Sequence, residues 1–97
     1  APIKVAVFPL MNKNNMPDIA QQIVDDIRLS GIACFYDTGG SIGKRYRRQD
    51  EAGTPYGITV DHDTLEDNTV TLRDRDTMEQ VRIPISKIIE TITEKIN

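Results

Sequence analysis

Two stretches of this 97-residue chain carry side chains whose types and spacing suit chemistry: a basic run between Gly39 and Tyr56, and a mixed series from Asp61 to Asp76. In the first, Lys44, Arg45, Arg47 and Arg48 precede Asp50 and Glu51. Glycines ahead of them supply a tight turn, Ser41 can cap the N–H groups that follow, and Gly53-Thr54-Pro55 ends the segment, so the stretch predicts a short capped helix. Its charges oppose the helix dipole at both ends, an order that helix stability alone would reverse. Glycines, a helix start and a lysine suit an anion such as an RNA phosphate. Nucleotide hydrolysis is excluded by spacing, because Gly39 and Gly43 enclose three residues where a phosphate loop needs four, and Arg45 follows Lys44 in place of Ser or Thr. The four cations straddle about one helical turn, so they cannot all face one ligand; some are solvated or paired, as Arg47 and Glu51 can be at i,i+4.

In the second stretch His62, the single histidine, lies between Asp61 and Asp63. A transition-metal site needs more nitrogen or sulfur ligands than this chain can gather, and no Ser, Cys or Lys stands at motif spacing as a nucleophile, so the triplet reads as a solvated turn. Arg73-Asp74-Arg75-Asp76 is either a salt-bridged turn or a paired set of donors and acceptors for a polar ligand.

The elements that must position these groups follow from periodicity. Ile3 to Phe8 is a β-branched run ended by Pro9, read as a strand buried on both faces. Pro17 and Asp18 open a helix whose Ile19, Ile23, Val24 and Ile27 recur at helical spacing before Ser30-Gly31 stops it. Ile32 to Tyr36 is a second buried strand, and Tyr56 to Val60 a third after the basic helix. Strands alternating with helices imply parallel pairing through right-handed crossovers. From Asp61 the rhythm changes to hairpins: Glu66-Asp67-Asn68 and Asp74-Arg75-Asp76 are turn clusters around strands at Thr69 to Arg73 and Met78 to Ile83. Pairing Arg73 with Met78 sets Thr71 opposite Gln80 and Thr69 opposite Arg82 on an open polar face, with Val70 opposite Val81 on the other. Ile85, Ile88, Ile89, Ile92 and Ile96 form a helical stripe that covers the apolar side. The expected fold is α/β, three layers α/β/α, with a mixed five-stranded sheet of order 2-1-3-4-5 and strand 4 antiparallel.

One domain of this length holds a single core. Hydrophobic residues at 38% and charged ones at 28% describe a globular composition. The single cysteine, Cys34, lies in an apolar run and fits a buried role in a reducing compartment. No apolar run approaches the roughly 20 residues that span a bilayer, and Ala-Pro-Ile-Lys carries no signal sequence, so no membrane role is expected. A net charge of -3 argues against indiscriminate nucleic-acid binding and leaves room only for a small, shaped site.

Ser41-Ile42-Gly43-Lys44-Arg45-Tyr46, Asp50-Glu51-Ala52-Gly53, Pro55-Tyr56-Gly57-Ile58-Thr59 and Thr71-Leu72-Arg73-Asp74-Arg75-Asp76 together resemble the C-terminal anticodon-binding domain of class II glycyl-tRNA synthetases. The resemblance runs from about Ile3 to Ile96, in blocks that keep the family's order. It implies the C-terminal part of a longer chain that binds the anticodon stem-loop of glycine tRNA, while a separate catalytic domain of the same chain uses ATP and magnesium to attach glycine. It also implies a cytoplasmic homodimer as parent, with no catalytic residue, cofactor or metal in this stretch.

A glycine anticodon ends in two cytosines. Each presents an N4 amino donor, for which a carboxylate is the natural acceptor, while Arg can hold O2, N3 or phosphate. The candidate tRNA-binding residues are therefore Lys44, Arg45, Arg48, Glu51, Asp61, Asp63, Thr71, Arg73, Asp74 and Arg75. Two rivals share this fold: a non-catalytic accessory or interaction module with an apolar exposed patch, and a small-molecule enzyme whose pocket is lined by Asn12 to Met16 and Asp61 to Asp63.

Overall fold

A computed structural model describes residues 3–11, 15–37, 44, 47 and 53–96. Five strands form one sheet: β1 (Val5–Pro9), β2 (Cys34–Tyr36), β3 (Tyr56–Val60), β4 (Thr69–Asp74) and β5 (Gln80–Pro84), in the order β2-β1-β3-β4-β5. β1 pairs in parallel with β2 and β3, β4 is antiparallel to β3, and β5 is antiparallel to β4. The mixed α/β sheet and its order are those expected from the sequence.

Helix α1 (Met16–Leu29) starts beside Asn15, whose φ of 63° turns the chain sharply, and has Pro at its start. It ends where Gly31, at φ 89°, takes a left-handed conformation open to glycine, with its N–H on the Arg28 carbonyl. Its buried stripe, Met16, Ala20, Ile23, Val24 and Ile27, packs with Val5, Val7, Ile58, Val60, Val70 and Leu72. After β5, one 3₁₀ turn (Ile85–Lys87) leads into α3 (Ile88–Ile96), which adds Ile88 and Ile92 to the same core. Strand alternation explains this: Val5 and Val7 face the α1 and α3 layer, while Ala6 and Phe8 are buried on the opposite side. Between β2 and β3, Lys44 and Arg47 are helical and exposed, as the basic helix requires. The rest of that helix, with Arg45, Tyr46, Arg48 and Glu51, lies outside the described residues.

Three local readings change. β2 is an edge strand and leaves Phe35 44% exposed, so it is not buried on both faces. A short helix, α2 (His62–Asp67), stands where the sequence suggested only turns. The β4–β5 register also slides by two: Arg73 pairs with Gln80, Thr71 with Arg82 and Leu72 with Val81. Met78 causes the slide, because its φ of 61° and its N–H bond to the Asp74 carbonyl (2.8 Å) keep residues 75–79 in the loop. A slip of two preserves parity, so the polar and apolar faces are those read from the sequence.

Cys34 is buried, and burial pushes its thiol up to about 11. It packs as a small hydrophobe. Its carbonyl accepts from Arg28 Nε at 3.3 Å and Nη2 at 3.1 Å, which pins the edge strand to α1. Among the described residues no helix is long and apolar enough to cross a membrane.

Candidate nucleic-acid interface

The polar side of the β4–β5 ribbon carries Thr69, Thr71 and Arg73 next to Gln80 and Arg82, and α2 begins beside it. α2 forms because Asp61 caps it. The Asp61 carboxylate accepts from the Thr64 N–H (3.3 Å), and the Thr64 hydroxyl accepts from the Asp61 N–H (3.1 Å), a reciprocal capping box. Asn68, at φ 58°, closes the other end.

Arg82 ties this helix start to the ribbon. Its Nη1 donates to Asp61 Oδ2 (3.0 Å) and Thr71 Oγ1 (3.1 Å), and its Nη2 to Asp61 Oδ1 (3.0 Å) and the Thr69 carbonyl (3.1 Å). Nε donates to Thr69 Oγ1 (2.9 Å), so the fork engages Asp61 in a bidentate pair and both threonines besides. Thr71 Oγ1 donates to Asp61 Oδ2 (3.2 Å), and Thr69 Oγ1 to Asp67 Oδ1 (2.6 Å). Hydrogen bonding from Arg82 is the main reason that the Asp61 carboxyl lies below its ordinary pKa; burial works the other way and is outweighed. The same pairing raises Arg82.

Asp61 and Thr71 are thus engaged inside the domain. Asp63, the next carboxylate, is 63% exposed and stands 3.8 Å from Arg82 Nη1, so its oxygens face water. His62 is the exposed first residue of α2.

Arg73 shares the ribbon's polar face but is only 9% exposed, with Nη2 2.9 Å from the sulfur of Met78. Met78 itself is 59% exposed. Asp74 is on the other face: it lines a shallow hollow with Leu72, Glu79, Val81 and Lys95. Its Oδ1 accepts from the Asp76 N–H (2.9 Å) and the Thr77 N–H (3.3 Å), which holds the hairpin loop. Arg75 pairs with Asp76 at 3.1 Å, as the salt-bridged-turn reading expects, and its buried Nε has no hydrogen-bond partner among the described residues. The structure therefore gathers Asp61, Asp63, Thr71 and Arg73 on one flank and sets Asp74 apart. Lys44 is exposed on the helix between β2 and β3, while Arg45, Arg48 and Glu51 fall outside the described residues.

Arg82 was absent from the sequence-based candidates, although its position on the polar face was foreseen. Its partner Asp61 is 21 residues away, and the expected register set it opposite Thr69 instead of Thr71. The Asp61-x-x-Thr64 spacing was the available signal for α2. Tyr56 is rim packing: its hydroxyl donates to the Lys95 carbonyl at 3.4 Å. Of the pocket envisaged for a small-molecule enzyme, Met16 is buried in the core and Asp61 is engaged by Arg82; Asn12 to Asn14 lie outside the described residues.

Over residues 4–95 the chain matches the model of the anticodon binding domain family, and it belongs to that family. Curated relatives narrow the comparison. The chain is 50% identical over 97 residues to a glycine–tRNA ligase of Methanococcus maripaludis, and 54% identical over 96 residues to those of Rhodopirellula baltica and Treponema denticola. These alignments cover 99% or more of this chain and 17%, 18% and 21% of the respective relatives, so the chain spans about a fifth of their length. In structure it is similar to a prolyl-tRNA synthetase of Cryptosporidium parvum solved with halofuginone and AMPPNP, with a TM-score of 0.89 and 23% identity over 97% of this chain and 20% of that one. That likeness establishes the fold.

Proposed function

We propose that this chain is the anticodon-reading part of a glycine–tRNA ligase, and that it grips the anticodon loop of glycine tRNA through the β4–β5 flank and the start of α2. The observation that carries the reading is the identity of 50% or more, across essentially the whole chain, to proteins named for that reaction. In this account the chain is one domain of a longer, cytoplasmic, homodimeric protein. The ATP- and magnesium-dependent attachment of glycine takes place in a catalytic domain outside these 97 residues.

Chemistry supports the choice of flank. An unstacked cytosine offers N4 as donor and O2 and N3 as acceptors, and Asp63 sets an exposed carboxylate beside a ribbon bearing Arg73 and Gln80. Asp61 and Thr71 hold the frame, Lys44 offers a phosphate contact, and Arg45, Arg48, Glu51, Asp74 and Arg75 remain candidate contacts. With a net charge of -3, affinity depends on local fit more than on bulk attraction.

Titrating the chain with the glycine anticodon stem-loop, and with loops in which one of the two cytosines is replaced by uracil, tests this. Replacement is expected to weaken binding about tenfold or more, as loss of one good base contact does. Equal affinity for all loops would remove the anticodon-reading claim.

A further inference from the structure

The structure assigns to Arg82 a part in base discrimination: it is a positioning residue that sets the Asp63 carboxylate over the polar ribbon while the Arg82 guanidinium itself stays occupied. This rests on the proposed anticodon-reading role and names a specificity determinant within it. The five hydrogen bonds from the Arg82 guanidinium go to Asp61, Thr69 and Thr71, and they match the five N–H groups it carries. Adding a base contact would break one of these bonds, so Arg82 is poorly suited to touch RNA.

What it does instead follows from its neighbours. Asp61 receives two of the bonds and is the N-cap of α2, so Arg82 on the edge strand, together with the Thr71–Asp61 bond from β4, ties the first turn of that helix, Asp63 included, to the ribbon. Nη1 also lies 3.8 Å from Asp63 Oδ2, which draws this carboxylate toward the ribbon. The charges add a second role. Asp61, Asp63 and Asp67 cluster around the same place, Asp67 through Thr69, and Arg82 is the cation set among them. Without it three carboxylates would confront the phosphates of an approaching RNA.

Lysine separates the two roles. It keeps the positive charge but cannot bridge five acceptors in a plane. Arg82→Lys should therefore bind the glycine anticodon stem-loop with affinity within about threefold of wild type and an unchanged salt slope. Its preference for cytosine over uracil should fall from about tenfold to about twofold. Arg82→Gln, which loses charge as well, should lose both affinity and preference.

The comparison uses fluorescence anisotropy at two salt concentrations, with melting curves of each variant. A wild-type chain that already binds cytosine and uracil loops equally overturns the anticodon-reading role itself, and this inference with it. A discriminating wild type together with a folded Arg82→Lys that keeps the full tenfold preference overturns the positioning role alone. If Arg82→Lys is unfolded at the assay temperature, Thr69→Val serves in its place, because it removes the partner of Nε and leaves every charge intact. A preference lowered at least twofold in that variant supports the assignment, and an unaltered one overturns it.

Discussion

Asp61→Ala is expected to lower stability by about 2 kcal/mol, combining about 1 kcal/mol for a lost helix cap with a similar amount for a guanidinium left with two unmatched donors. The second part is kept small because Arg82 is about a third exposed and water can reach it. For a domain of this size, that lowers Tm by roughly 10 °C. Asp61→Asn separates the two causes, since Asn caps as well as Asp but cannot pair as an anion; it should recover about half of the loss. The pH dependence has a fixed sign. The native carboxyl lies below the unfolded value of 3.8, so the pair's contribution is complete above that value and fades as pH falls through the lower native one. Melting curves of wild type and Asp61→Asn should therefore converge in strong acid and separate toward neutrality. Parallel curves across that range would show that the Asp61–Arg82 pair contributes nothing.

The largest loss is expected from Ile92→Ala. Ile92 is fully buried on α3, where this helix closes the apolar side of the sheet. Removing three carbons from such a site costs about 3 kcal/mol, from lost burial and an unfilled cavity, or roughly 15 °C in Tm. The polar ribbon lies on the opposite face of the sheet. At a temperature where the variant is still folded, its cytosine preference should match wild type, which contrasts with Asp61→Ala, where stability and preference fall together. Chemical denaturation, with loop binding measured on the same samples, checks both.

How far the sequence carried the fold depended on the range of the interaction involved. Val5, Val7, Ile58 and Val60 announce two parallel strands through local pattern alone, and Ile88 and Ile92 announce the covering helix. Hairpin register was harder to read, because Met78 adopts a left-handed conformation that β-turn composition does not signal for methionine. Parity survived the slip, so the polar face was legible although its cross-strand partners were not. α2 was hidden by its length: six residues that run into the Glu66-Asp67-Asn68 cluster look like a turn, and Thr64 completes the capping box where Glu or Gln would have drawn notice. The roles of Asp61 and Arg82 depended on all three features together, the helix, the register and the edge strand. Arg73 shows the same limit. Its type and place suggested an open cation, whereas the residue is only 9% exposed, with Nη2 2.9 Å from the Met78 sulfur.

RNA is expected on the flank formed by the β4–β5 ribbon and the first turn of α2. Amide NMR of the isotope-labelled chain, titrated with the glycine anticodon stem-loop, tests it most directly. Shift changes should concentrate at residues 61–64, 71–73 and 80–82, and stay small along α1 and α3. Changes centred instead on the hollow between α1 and α3, lined by Ile23, Ile27, Ile85 and Ile89, would contradict the account.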